Sequence, residues 1–152
     1  QKLQEQLDKI LIDAGRRQRR VAVLCVGLDD FKSVNEQFTY QAGDKLLLAL
    51  ADRLRAHSGR LGALARLGGD EFLIVGSAQQ PAAQQAYVTT LRQALCGVYF
   101  LGEQRIDYEG ASFGVVTCDP QSIDVEAALR AADEAMYQDK KSRRQENFIH
   151  ID

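Results

Sequence analysis

The longest uninterrupted apolar run in the sequence, Val21 to Leu28, is the feature that most constrains the fold. Its first six residues, Val21 to Val26, show no alternation of polar and apolar side chains. A strand with one solvent-exposed face alternates polar and apolar residues. This run does not, so it predicts a strand buried on both faces at the centre of a sheet. A run of eight residues is far shorter than the roughly 20 residues needed to cross a bilayer, so it is not a transmembrane segment.

Hydrophobic periodicity predicts the elements around that strand. Apolar residues at helical spacing predict four helices, from Leu3 to Ala14, from Gly43 to His57, from Pro81 to near Gly97 and from Asp124 to Lys140. Short apolar runs predict strands over 64–67, 72–75, 98–101, 104–108 and 111–118, with a closing strand over 148–151. No helix or strand is predicted for the polar stretch from Asp29 to Gln41. This order predicts an α/β fold, an α+β sandwich in which helices flank one mixed or antiparallel sheet.

Composition limits the class of protein. A chain of 152 residues that is 45% hydrophobic fits one domain over 1–152. We expect that domain to be part of a longer protein, because its first helix starts at Gln1 without a cap. The net charge of −2 disfavours nucleic-acid binding through a broad basic field. Three widely spaced cysteines argue against a disulfide framework and against a zinc site, so we expect a reducing, cytoplasmic compartment, with any membrane anchor outside this sequence.

A Gly-Gly-Asp-Glu tetrapeptide, residues 68–71, separates two of the predicted strands. A hairpin turn needs the glycines but not two adjacent carboxylates. Gly68 and Gly69 would let a ligand approach the backbone, and Asp70 offers a hard oxygen to the Mg²⁺ that accompanies nucleotide phosphates. For this tetrapeptide alone, a solvent-exposed turn without function is an equal alternative.

Five ordered motifs together resemble the GGDEF domain of diguanylate cyclases over nearly the whole chain. They are 28–35 (LDDFKSVN), 43–47 (GDKLL), 66–72 (RLGGDEF), 112–114 (SFG) and 132–137 (ADEAMY) followed by Lys140. The resemblance implies a nucleotide-cyclase-like fold. It also implies that two such domains, each holding one GTP with Mg²⁺ or Mn²⁺, face each other to form cyclic di-GMP.

The resemblance also assigns candidate roles to individual residues. It implies guanine recognition by Asn35 and Asp44, metal binding by Asp70 and the Leu28 carbonyl, and catalytic roles for Asp70 and Glu71. Contacts to the phosphates are implied for the backbone of Leu28, Asp29, Asp30 and Phe31 and for the side chains of Lys140 and Arg144, and Gly68 and Gly69 are assigned to substrate binding. Structural alternatives remain open: an Asx turn for Asn35, a helix N-terminal acid for Asp44, and helix-dipole interactions for Lys140 and Arg144.

The chain also departs from the family pattern. Gly27 stands where the family has an aspartate that bridges two metal ions, and Asp29 could replace it only if the chain stays extended. Smaller departures are Thr39-Tyr40, Arg143 and Gln145, and glycines 59 and 62 stand in place of the inhibitory product-binding motif.

Three interpretations follow from these departures. The leading one is a degenerate GGDEF domain that binds GTP as a regulatory or dimerising module, with an EAL phosphodiesterase domain as a possible neighbour. An active diguanylate cyclase is the alternative. A scaffold that binds no nucleotide is the third interpretation, and the retained Asn35, Asp44, Lys140 and Arg144 argue against it.

Overall fold

A computed structural model describes the backbone of residues 5, 8–9, 12–13, 16–17, 19–38, 40–58, 62–119, 121 and 125–150. Side chains are described for these residues except 40, 58, 62, 125 and 144–150. The elements in chain order are β1 (Val21–Leu28), α1 (Phe31–Gln37), α2 (Tyr40–Ser58), β2 (Gly62–Gly68), β3 (Glu71–Ser77), α3 (Pro81–Leu95), β4 (Gly97–Leu101), β5 (Gln104–Tyr108), β6 (Ala111–Cys118) and α4 (Val125–His150).

The main sheet has four strands in the order β2-β3-β1-β6, and every neighbouring pair is antiparallel. All eight residues of β1 are buried, which confirms the predicted central strand. The register places Gly27 of β1 between Glu71 of β3 and Ser112 of β6. Strands β4 and β5 form a separate hairpin. The predicted α/β class with an antiparallel sheet and flanking helices is therefore confirmed.

Alternate residues of β1 point to the two faces of the sheet and into two apolar clusters. On one face, Leu24 and Val26 pack in a cluster with side chains of α2 and α3 such as Leu50. On the other face, Val23 and Cys25 pack in a cluster with α4. Helix α4 lies directly on β6, because a Cβ at Gly114 would overlap the backbone of Ala132 and Met136. This close approach fixes α4 against β6, which neighbours β1 in the sheet.

Two of the sequence predictions are wrong. Residues 148–150 continue α4 instead of starting a strand, and residue 151 lies outside the described part of the chain. After Lys140 the sequence has no Gly or Pro and is rich in good helix formers, so nothing stops the helix. The stretch predicted to lack an element contains α1, whose Phe31 and Val34 are buried three residues apart. Two apolar positions are too few to register as a helical pattern.

The other predicted elements hold, with shifted ends. Helix α2 begins at Tyr40, three residues before its predicted start, and α3 begins at the predicted Pro81. In the first predicted helix, the described residues 5, 8–9 and 12–13 are helical, as is residue 16 beyond its predicted end, and the other residues from 3 to 14 lie outside the described part of the chain. Among the residues the structure describes, no helix is long and apolar enough to cross a membrane.

Candidate functional site

The tetrapeptide 68–71 forms the tight turn between β2 and β3. Gly68 pairs with Glu71, and Gly69 adopts a positive φ of 21° at the tip. The Arg66 guanidinium donates to the Gly69 carbonyl at 2.7 Å, which braces the turn. Apart from each glycine and its two chain neighbours, no atom of the described residues lies within 4 Å of the position that a Cβ would take at Gly68 or Gly69. The turn therefore presents bare backbone to open space, with the half-buried Asp70 next to it.

The end of β1 is tied to this turn. The Leu28 amide donates to the Asp70 carbonyl at 2.9 Å, and the Asp29 amide donates to the Gly110 carbonyl at 3.0 Å. Asp30 then adopts a left-handed conformation with φ of 51°, and the chain turns into α1. The chain therefore does not stay extended past Leu28. The amides of Leu28 and Asp29 are used within the fold, whereas first-turn amides of a helix, such as that of Phe31, have no intrahelical partner.

The Asp29 carboxylate is held by a network that sequence reasoning did not find. Its Oδ1 accepts from Ser112 Oγ at 2.7 Å, and its Oδ2 accepts from the Arg143 guanidinium. Arg143 also donates to the Ala111 carbonyl. The side chains of Asp29 and Arg143 are only 15% and 24% exposed. Asp29 thus has a fixed cationic partner. The signal in the sequence was Arg143 itself, an arginine where the family pattern has a glycine.

Tyr108 completes the anchoring of this turn. Its hydroxyl donates to the Asp29 carbonyl at 2.7 Å. Burial, followed by the negative charges of Asp29 and Asp70, raises the pKa of Tyr108. The phenol therefore stays protonated and remains a donor at neutral pH.

Asn35 and Asp44 are brought together by the packing of α1 on α2. The Asn35 side chain lies over Gly43, where a Cβ would overlap Asn35 Oδ1. Asp44, the next residue, is exposed, and Asn35 is half-buried. Neither structural alternative describes them: Asn35 lies inside α1, and Asp44 is the fifth residue of α2, which has no acid in its first turn. Gly43 is thus required by the position of the Asn35 amide.

Glu71 and Asp133 lie close together beside the turn, and Lys140 is near enough to act on Glu71 electrostatically. Burial first, then the charges of Asp133 and Asp70, raise the pKa of Glu71, while Lys140 lowers it. Lys140 is half-buried. The ammonium group is thus placed near the carboxylates at the end of β1. The Arg144 side chain lies outside the described residues.

Gly27 lies at the centre of this strand end, directly opposite Glu71. A Cβ at Gly27 would lie 2.7 Å from Met136 Sδ and 3.1 Å from its Cε. The thioether of Met136 therefore covers the space into which a side chain at position 27 would project.

The arrangement has two parts with different chemistry. The pair of Asn35 and Asp44 can accept and donate hydrogen bonds to a polar planar ligand. The strand end carries hard oxygen donors in the Asp70 carboxylate and the Leu28 carbonyl. These suit Mg²⁺ when ligand phosphates complete its shell, because Mg²⁺ is commonly bound through one or two carboxylates plus phosphates.

Comparison with known proteins identifies the family. The family described as "Diguanylate cyclase, GGDEF domain" matches residues 1–146. The chain is 34% identical over 145 residues to diguanylate cyclase DgcP of Escherichia coli K12, covering 95% of this chain and 42% of that protein. It is 32% identical over 142 residues to the bifunctional diguanylate cyclase/cyclic di-GMP phosphodiesterase MucR of Pseudomonas aeruginosa, covering 93% of this chain and 21% of MucR. The chain thus spans less than half of either relative.

The fold agrees with solved structures. A sensory box/GGDEF family protein from Caulobacter crescentus CB15 superimposes with a TM-score of 0.83 at 33% identity, covering 92% of this chain and 90% of that one. The family match and the shared fold lead to one conclusion: the chain belongs to the GGDEF domain family of cyclic di-GMP signalling proteins.

Proposed function

We propose that this GGDEF domain binds GTP as a regulatory or dimerising module and has little or no cyclase activity. The observation that carries the proposal is the strand end at Gly27. Position 27 has no carboxylate, and Met136 fills the space in front of it. The Asp29 carboxylate is engaged by Arg143 and Ser112. Neither residue supplies the second anionic ligand that two divalent ions beside a triphosphate need.

Guanine recognition is assigned to Asn35 and Asp44. Guanine presents a ring N–H and an amino group along one edge, and the Asp44 carboxylate can accept from both donors. The Asn35 amide, held over Gly43, can both donate and accept. Adenine has no ring hydrogen at the matching position. It would leave the carboxylate without a partner, which favours GTP over ATP.

Phosphate binding is assigned to the other part of the site. Lys140 lies beside the carboxylates at the end of β1, and the backbone of Asp30 and Phe31 begins α1 at the same strand end. Gly68 and Gly69 leave open space in front of the turn. A bound Mg²⁺ would be held by Asp70 and the Leu28 carbonyl and would neutralise phosphate charge.

An active cyclase is the second candidate, and the preserved turn at 68–71 favours it. In that reaction the 3′-oxygen of one GTP forms a bond to the α-phosphorus of the other. The bond to the β-phosphate oxygen breaks, pyrophosphate leaves, and the hydroxyl proton passes to a base. Two domains must face each other, since one domain holds one nucleotide. With Asp70 assigned to the metal and no carboxylate at position 27, this chain would catalyse the step poorly.

A phosphodiesterase domain is the proposed regulatory partner. MucR, which this chain resembles over 21% of its length, is named as both cyclase and phosphodiesterase. In such a protein, GTP would shift the phosphodiesterase domain between two states if the affinity of this GGDEF domain for GTP differed between those states.

Product chromatography after incubation with GTP and Mg²⁺ or Mn²⁺ tests the proposal. We expect no cyclic di-GMP above the level made by Asp70→Asn. Robust metal-dependent product that Asp70→Asn abolishes would establish the cyclase alternative instead.

A further inference from the structure

A second group of potential metal ligands lies beside the turn, on the face of the sheet covered by α4. It consists of Cys25 of β1, Glu71 of β3 and Asp133 of α4. The Cys25 Sγ and one carboxylate oxygen from each acid all lie within 4.8 Å of one another. Cys25 Sγ lies 4.0 Å from Asp133 Oδ1. Three elements distant in sequence thus converge on one point with a sulfur and two oxygen atoms.

The donor set differs in kind from the Mg²⁺ ligands at Asp70 and Leu28. A thiolate is a soft ligand, which selects zinc-type ions and is avoided by Mg²⁺. In a tetrahedral zinc site, bond lengths of about 2.0 to 2.3 Å place neighbouring ligand atoms about 3.4 to 3.6 Å apart. The observed separations are at most 4.8 Å, about an ångström more than this, so the three ligand atoms would have to draw together when an ion binds.

The geometry points to a site for a zinc-type divalent ion held by the Cys25 thiolate and the carboxylates of Glu71 and Asp133, with water as the fourth ligand. Cys25 is 1% exposed and forms the inner wall of the site. Asp133 is exposed and Glu71 half-buried, so the carboxylates form the side through which an ion enters. Three protein ligands with water in the fourth position is the arrangement of catalytic zinc sites, and Cys, Asp and Glu are all zinc ligands.

The carboxylate charges around the cluster favour a cation, although the thiol is protonated without one. Burial first, then Glu71 and Asp133, raise the pKa of the Cys25 thiol to about 12, and Lys140 opposes them. Asp70 adds a third negative charge beside Glu71. A divalent ion would displace the thiol proton and offset the repulsion among these carboxylates.

The spacing of the cysteines argued against zinc because sequence patterns detect ligands that are close along the chain. Here the ligands are residues 25, 71 and 133, and only the strand register and the packing of α4 bring them together. The inference does not rest on GTP binding, because none of its three ligands contacts the proposed base pocket at Asn35 and Asp44.

Cobalt substitution tests this site directly. The full chain carrying Cys96→Ser, which removes the exposed thiol, is titrated with Co²⁺ while thiolate-to-cobalt charge-transfer absorption is recorded. We expect one Co²⁺ per chain, displaced by Zn²⁺ but not by excess Mg²⁺. Cys25→Ser should abolish the absorption band, and Asp133→Asn should weaken Co²⁺ binding roughly 10- to 100-fold.

Cys118→Ser is the matched control, because Cys118 is also buried in the cluster under α4 but is not one of the three ligands. It should leave the band unchanged. The inference is overturned if the Cys96→Ser chain binds no Co²⁺, if Mg²⁺ displaces Co²⁺, or if the band survives in Cys25→Ser. Should Cys25→Ser fail to fold, the exposed Asp133→Asn variant decides, and unchanged Co²⁺ affinity in it counts against the site.

Discussion

The two halves of the nucleotide site differ in how completely they are built. In the half formed by α1 and α2, the Asn35 amide is fixed over Gly43 and Asp44 is exposed beside it. In the half formed by the end of β1, Gly27 carries no side chain and Asp29 is paired with Arg143. Binding of a base needs only the first half. Transfer of a phosphoryl group needs charge stabilisation from the second. The contrast teaches that recognition and chemistry can be lost separately.

Rebuilding the second half should produce the largest effect. We expect Gly27→Asp combined with Met136→Ala to raise metal-dependent cyclic di-GMP formation by on the order of 10²-fold, because a metal carboxylate returns to a position freed of the thioether. Met136→Ala alone is the control and should show no gain. Product chromatography measures the outcome, and a folded double variant that binds GTP but stays at background would show that position 27 is not what limits the chemistry.

Damaging the first half should weaken GTP binding. Asp44→Ala removes a charge-assisted hydrogen bond, which costs about 1 to 3 kcal/mol or roughly 5- to 150-fold in affinity. Calorimetry with GTP and ATP measures it, and ATP affinity should stay low in both proteins. Asp52→Ala, also exposed on α2 and paired with Arg55, is the matched control. Equal affinity for GTP and ATP in the unmodified chain would remove the guanine assignment.

GTP binding to the half formed by α1 and α2 should alter a neighbouring domain. In a full-length protein with a phosphodiesterase domain, we expect GTP to change the apparent affinity of that domain for cyclic di-GMP by about 5- to 150-fold, the usual range of allosteric coupling. Asp44→Ala should lose this GTP dependence, and Asp52→Ala should keep it. If saturating GTP leaves the partner unchanged, a dimerising role becomes the better account.

Removing Arg143, which pairs with the Asp29 carboxylate, should destabilise the fold. We expect Arg143→Ala to lower the free energy of unfolding by about 1 to 3 kcal/mol, because a mostly buried carboxylate loses its charged partner. Urea denaturation measures the loss. Arg105→Ala, which breaks an exposed pair with Asp107, should change stability by less than about 1 kcal/mol. Equal effects of the two substitutions would mean that the Asp29 pair does not hold the turn.

The smallest effect concerns the pH dependence of stability. The pKa of Glu71 is raised in the folded chain, so the folded state holds its proton to higher pH than the unfolded state. Its contribution to stability therefore falls as the pH rises above the ordinary carboxyl range. Glu71→Gln should gain stability relative to the unmodified chain as the pH rises above the ordinary Glu pKa of about 4.3. Glu126→Gln, exposed on α4, should show no such trend.

Sequence periodicity was sufficient for the main elements but not for the contacts among them. The unbroken run at 21–26 identified the central strand because double burial leaves a local pattern. Helix α1 was not predicted, because Phe31 and Val34 are its two buried residues and give too weak a pattern. The pairing of Asp29 with Arg143 joins residues 114 positions apart. No local pattern encodes such a contact, since it depends on where α4 crosses β6.

The central claim, that the domain holds GTP without converting it, is tested in one incubation. The chain is mixed with GTP and Mg²⁺, separated from free nucleotide, and both the protein fraction and the total mixture are analysed by chromatography. The account predicts GTP recovered intact with the protein and no cyclic di-GMP in the mixture. Cyclic di-GMP that accumulates beyond the amount of protein, or a protein fraction free of guanine nucleotide at saturating GTP, would contradict it.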